Sequence, residues 1–322
     1  MKKVNIIGSG FSSLSAACHL AKRGFEVEVF EKNSTLGGRA RQFKQDGFTF
    51  DMGPSWYWMP DVFERFFEGF GKKVSDYYKL ERLDPGYQVV FGKDDVFPVY
   101  DSIEKIADRF EMEEKGSGQK LISFLNQAKR NYDVAIDDLV YKPGVSPLEL
   151  VTPVTVKNVG LFLTNVRKQV ERDFKSPKLR SLLQFPVLFL GAKPEQTPAF
   201  YNFMNYADFG LGTWHPKGGM IQIVNAMVSL AKELGVRFHT DAPVSEILTK
   251  NKTANGIRIG DTIHESDIIV SGADYHHTER LLQASLRGYS ESYWKKKVFA
   301  PSSLLFYMGI DKKLKDLAHH NL

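Results

Sequence analysis

Gly8 and Gly10 stand one residue apart at the end of the apolar run Val4-Asn5-Ile6-Ile7, and Glu31 closes a second apolar run, Val27-Glu28-Val29-Phe30. Residues of these types at this spacing can hold a dinucleotide. Glycines with no Cβ let the backbone turn tightly and bring main-chain N–H groups up to a pyrophosphate. Phe11, Ser12 and Ser13 would open a helix reaching to about Arg23, whose positive end faces the phosphates. Glu31 follows Gly8 at about the 20-residue spacing at which a carboxylate accepts hydrogen bonds from ribose hydroxyls, and an acid there disfavours a 2′-phosphate. Lys32 adjoins the same end of the nucleotide. Ser13 replaces the third glycine of the pattern, the one that permits close packing of helix on strand. Because serine is small, a slightly adjusted helix approach is expected, with the fold retained.

A second glycine pair, Leu36-Gly37-Gly38-Arg39, follows the acid and leads into a hairpin-like stretch through Asp51. This combination resembles the glutathione-reductase-type FAD proteins and favours FAD over NAD. Three later segments narrow the resemblance: Phe48-Thr49-Phe50-Asp51-Met52-Gly53-Pro54-Ser55, Gly212-Thr213-Trp214-His215-Pro216-Lys217-Gly218-Gly219-Met220, and Ser271-Gly272-Ala273-Asp274-Tyr275-His276-His277-Thr278. In order and spacing they are similar to the bacterial-type phytoene desaturases, over essentially the whole chain. The resemblance implies an α/β fold: a Rossmann-like FAD-binding domain of glutathione-reductase type, interrupted by a mainly helical substrate domain. It further implies desaturation of a long apolar carotenoid precursor such as phytoene, by hydride transfer to the flavin. The cofactor set it implies is Gly8, Gly10, Phe11, Ser12, Ser13, Glu31, Lys32, Gly38, Arg39, Gly53, Pro54, Ser55, the Val244 backbone at the adenine, and Ala273. Two alternatives share the fingerprint: a flavin amine-oxidase-like enzyme and a non-enzymatic prenyl- or lipid-binding relative.

Composition bounds the rest. The chain has 322 residues, enough for about two domains. A net charge of +5, spread over 43 basic and 38 acidic residues, is too diffuse for a nucleic-acid partner. Cys18 is the one cysteine, a small core residue that leaves no disulfide within the chain and fits a reducing cytoplasm. The fingerprint starts directly after the initial Met, leaving no room for a signal peptide, and no apolar run reaches the length of a spanning helix. The expectation is therefore a cytoplasmic protein, peripheral at the inner face of the cell membrane.

Along the chain the expected divisions are a first FAD-binding segment (1–60), a substrate and membrane-associating domain (61–210), a second FAD-binding segment with a β-meander (211–280), and the start of a second substrate segment (281–322). The resembling family continues past Leu322, so part of the flavin pocket is expected to be missing and the uncovered apolar surface to favour self-association. Phe185–Leu190 and Phe200–Met204 are rich enough in apolar side chains to line a tunnel or to build a core. Two stretches pair aromatics with cations as an interfacial segment would: residues 62–70 followed by Lys72-Lys73, and Trp294-Lys295-Lys296-Lys297. The adjacent His276 and His277 do not form a ligand pair, so no metal is expected. No side chain is nominated as a catalytic acid or base; His215 and Asp274 read first as structural hydrogen-bonding groups.

Overall fold

The computed structural model describes residues 1–300, 302–315 and 317. The chain opens β1 (Lys3–Ile7), α1 (Phe11–Lys22), β2 (Glu26–Phe30), followed by a hairpin of β3 (Gln42–Gln45) and β4 (Phe48–Asp51) and then α2 (Pro60–Glu68). Three short strands come next, β5 (Leu80–Arg82), β6 (Tyr87–Gly92) and β7 (Asp95–Val99), ahead of α3 (Ile103–Glu113) and α4 (Ser117–Val134). Beyond a run of short helices lie β8 (Trp214–Pro216), the helix Ile221–Glu233, β9 (Arg237–His239), β10 (Glu246–Lys250), β11 (Thr253–Ile259), β12 (Thr262–Glu265) and β13 (Ile268–Ser271).

Four strands form a parallel sheet in the order β13-β1-β2-β9. Val4 to Ile7 are all buried, as a strand inside a parallel sheet covered on both faces is, and the polar Asn5 among them donates its side-chain amide to His264 O at 3.0 Å. α1 and the Ile221–Glu233 helix pack against each other over the sheet, with Leu14, Ala17 and Cys18 meeting Val224, Met227 and Leu230 in one core. Glu28 pins three strands together: its buried carboxylate takes Lys3 Nζ at 3.1 Å, Arg237 Nη2 at 2.5 Å and His239 Nε2 at 3.0 Å. Burial alone would raise its pKa, but the bonds from Arg237 and Lys3 outweigh burial and hold it at about 2.

β10, β11 and β12 form the expected antiparallel meander as a separate sheet. Its first strand begins at Glu246, so Val244 lies ahead of it, directly after Pro243, which has no N–H to give a ladder. The stretch 61–210 is mainly helical, as expected, and also carries the strands β5 to β7. β6 and β7 pair as a hairpin with Val89 opposite Phe97, and β5 pairs with β8. Their β-branched and aromatic residues fit a pleated surface, a signal diluted by the helices around them. The helical stretch from Pro177 to Leu190 is divided in two. Pro177–Gln184 is α-helical and Phe185–Leu190 is 3₁₀, since Pro186 can neither donate nor tolerate the carbonyl four residues back.

The Phe-rich stripe of α2 is core. Phe67 is buried, and Phe63, Phe66 and Phe70 pack on the α1 cluster. Trp294 is half-buried and stacks on His276 at 5.1 Å. Both aromatic stretches thus pack in part against protein. Phe200, Phe203 and Met204 are likewise buried, in a core with Tyr132 and Ile136. Residues 318–322 of the last expected segment lie outside the described residues.

Candidate cofactor site

The turn between β1 and α1 has the shape the glycines predict. Gly8 takes φ +87°, and its N–H donates to Phe30 O at 2.8 Å, which brings the end of β2 beside the turn. No side chain caps α1 and no acid lies in its first turn, so its N-terminal end stays open to an anion. Gly10 has an ordinary φ of −71°, and a Cβ built on it would find nothing within 4 Å. The protein itself does not require glycine there. A ligand lying over the helix end would.

Glu31 is only 4% exposed and accepts four hydrogen bonds. Ser9 N and Ser9 Oγ donate to Oε2 at 3.0 and 2.6 Å; Asn33 N donates to Oε1 at 3.0 Å, and the Asn33 side-chain amide donates to the same oxygen. Burial works to raise its pKa, but these bonds prevail and hold the carboxyl below its ordinary value, so it is ionised at neutral pH. All four of its lone-pair positions are used. A ribose diol would therefore take the places of the Ser9 hydroxyl and the Asn33 amide, the two donors free to rotate. Sequence reasoning did not single out Ser9 or Asn33, because small polar residues in turns are commonplace.

The later glycine segments converge on the same turn. Gly37 N donates to Ser9 O and to Ser9 Oγ, both at 3.1 Å. A Cβ on Gly38 would lie 3.0 Å from Gly10 Cα, and one on Gly53 would lie 2.7 Å from Arg39 O. Asp51 ties this group to the third segment: its Oδ2 accepts from Met220 N at 2.7 Å and its Oδ1 from Ile221 N at 3.3 Å, capping the Ile221–Glu233 helix. Behind the turn, Gly272 N donates to Ile7 O at 2.9 Å, and Ala273 lies across from Gly8. Ala242 N donates to Glu31 O at 2.9 Å, which brings the approach to Val244 up to the acid; the Val244 side chain packs on Ile247 and Ile257. Ser12, Lys32, Arg39, Gly53 and Ser55 are exposed, and Pro54 is half-buried.

Ser13 explains itself through Gly272. A Cβ on Gly272 would lie 1.9 Å from Ser13 Oγ and 3.2 Å from Ser13 Cβ. The room that the fingerprint usually makes on the helix is made here on the opposite strand end. Ser13 Oγ is buried with no hydrogen-bond partner. Gly272→Ala is expected to cost about 1–3 kcal/mol by overpacking, and Ser13→Gly in the same chain to recover most of it. A double-mutant cycle by urea unfolding checks this, and additive effects would rule out the compensation.

The residues at the cradle thus fit an FAD-type dinucleotide: an open helix end, an unneeded glycine under it, and an ionised acid at ribose distance in sequence. A family model for flavin containing amine oxidoreductases matches residues 11–297. The chain belongs to that family. Along 99% of its length it is 43% identical to a carotenoid 3,4-desaturase of Haloarcula japonica, covering 65% of that protein. It is 33% identical along its whole length to a zeta-carotene-forming phytoene desaturase of Myxococcus xanthus, covering 62% of it. The chain therefore spans a little under two thirds of these relatives. Among solved structures, an oxidoreductase from Methanosarcina mazei shares the fold with a TM-score of 0.59 at 22% identity, over 91% of this chain and 64% of that one. Among the described residues no cluster of three or more His, Cys, Asp or Glu is placed to hold a metal, and Asp274 caps the helix Tyr275–Arg280 through His276 N at 3.0 Å.

Proposed function

We propose that this chain is an FAD-dependent desaturase of a long apolar carotenoid. The observation that carries the reading is the chain of close contacts from the Gly8–Gly10 turn to Gly37-Gly38, from Arg39 to Gly53, and from Asp51 to Gly219-Met220, in a chain 43% identical to a carotenoid desaturase. Bound FAD supplies the hydride acceptor. The chain's own residues do the rest: the N–H groups of Phe11, Ser12 and Ser13 receive the pyrophosphate, Glu31 orients the ribose, and Gly38, Arg39, Gly53, Pro54 and Ser55 carry the site towards the flavin end. Val244 and Ala273 flank the nucleotide. The segments 1–60 and 211–280 form the nucleotide half in this reading, and 61–210 holds the apolar substrate.

A hydrocarbon substrate dissolves in lipid, so the protein should meet a membrane surface. Among the described residues no helix is long and apolar enough to cross one. The exposed apolar run Val140, Tyr141, Val145, Leu148, Val151, Val156, Val159 and Leu163 supports surface contact better than either stretch singled out in the sequence. We place this contact at the inner face of the cell membrane.

The test is expression in a host that accumulates phytoene, with the pigment identified by its absorption. A conjugated product that disappears in Glu31→Ala, together with bound flavin, is the expected result. Colourless cells holding ample folded, flavin-loaded protein would overturn the assignment.

A further inference from the structure

Just past Gly53 the chain runs into a group of aromatic rings. Trp56 is three residues further on, so at about 3.3–3.6 Å per residue its Cα lies within roughly 11 Å of Gly53. Its ring packs on Tyr87 at 4.5 Å, Trp58 at 5.4 Å, Phe185 at 5.5 Å and Phe189 at 5.7 Å, and Trp58 meets Phe189 edge-on at 4.8 Å. Trp58, and the Tyr87 ring on which Trp56 packs, are anchored through polar groups. Trp58 Nε1–H donates to the buried Thr213 hydroxyl at 2.9 Å, and Tyr87 beneath Trp56 donates its hydroxyl to the buried Asp208 at 2.6 Å. These polar atoms are spent within the protein, and ring faces are what remains to meet a ligand.

The other side of the group is uncovered. Phe189 is 53% exposed and its neighbour Leu188 57%, while a cavity of ≈ 360 Å³ lined by Val89, Leu182, Phe185 and Leu188, with the polar Ser181 and Gln184 also on its wall, opens beside them. A mainly apolar cavity with the exposed Phe189 ring near it, bordering a ring group that begins three residues past Gly53, suits a ligand that has no polar handle.

We infer that Trp56, Trp58 and Phe189 form the wall against which the polyene chain lies next to the cofactor, and that Tyr87 and Thr213 are positioning residues that fix the two indoles. The inference rests on the desaturase reading above and adds the residues that place the substrate. A flat conjugated chain gains from rigid ring faces what it cannot gain from hydrogen bonds.

The experiment titrates the FAD-loaded chain with β-carotene in mild detergent and follows both quenching of tryptophan emission and co-elution of the polyene. The parent should bind, and Phe189→Ala and Trp58→Ala should each weaken the Kd roughly tenfold with flavin content unchanged. Trp58→Phe, which keeps a ring, should recover part of the loss. Because Phe189 is largely exposed, its variant tests the wall without putting the fold at risk. Tyr87→Phe should weaken binding less than Trp58→Ala and alter the emission maximum of the unliganded protein. An unchanged Kd in both alanine variants would overturn the wall while leaving the desaturase reading intact. So would a loss confined to vesicle binding or self-association in Phe189→Ala. A parent that holds FAD and binds no β-carotene would overturn the reading itself.

Discussion

Gly10→Ala is expected to fold with the parent's stability and to purify without flavin, whereas Gly53→Ala is expected to lose much of its folded state. The two glycines look alike in sequence and differ in what surrounds them. Gly10 has an ordinary φ and its added Cβ would touch nothing within 4 Å, so the change should stay within about ±0.5 kcal/mol for the fold. The same methyl group would occupy the approach to the helix end, and losing that close contact should weaken FAD binding about 100-fold, near 3 kcal/mol. Gly53 sits at φ +91°, where an L-residue is strained, and its Cβ would lie 2.7 Å from the carbonyl oxygen of Arg39. A carbonyl cannot swing away as a side chain can. Strain and overpacking together should cost about 2–5 kcal/mol. Thermal melting and flavin absorbance on the two purified variants separate these outcomes. A yellow Gly10→Ala protein would remove the pyrophosphate from this turn, and a Gly53→Ala protein melting with the parent would remove the Arg39–Gly53 contact.

The parts legible in the sequence were those whose physics is local. Gly8, Gly10 and Glu31 announce a turn and an acid because the strand, helix and second strand around them follow one another directly. The hairpin through Asp51 is readable for the same reason. What escaped depends on partners far apart in the chain. Ser13 looks like a defect until Gly272 is placed against it, and Asp51 looks like the end of a strand until it is found capping a helix that begins at Ile221. The aromatic stripe of α2 has the pattern of an interfacial helix, yet α1 covers it. Periodicity tells which face is apolar and leaves open whether protein or lipid will meet it.

Asp208 gives the clearest pH dependence. It lies in a single π-helical turn, Tyr206–Gly210, is 1% exposed, and has Tyr87 as its hydrogen-bond donor on Oδ2 while Oδ1 has no partner. Burial pushes its carboxyl up to about 8, and the Tyr87 bond draws it back only in part. In the unfolded chain the same group titrates near 3.9. Between these two values the folded state holds a proton that the unfolded state has released, so stability falls as pH rises from about 4 to about 8 and then levels off. Asp208→Asn keeps an acceptor for Tyr87 and cannot ionise, so the variant should lack this slope. Relative to the parent it should gain roughly 5 kcal/mol between acidic and alkaline pH, about 1.4 kcal/mol for each of the roughly four pH units between the two values, read as the difference of two urea-unfolding series. A constant difference across that range would mean that Asp208 is ionised in the fold throughout. The same variant bears on the ring group. With the acceptor retained, Tyr87 and the indole of Trp56 above it keep their places, so β-carotene affinity should stay at the parent's level while the stability profile flattens; if both changed together, the carboxyl itself would belong to the substrate wall.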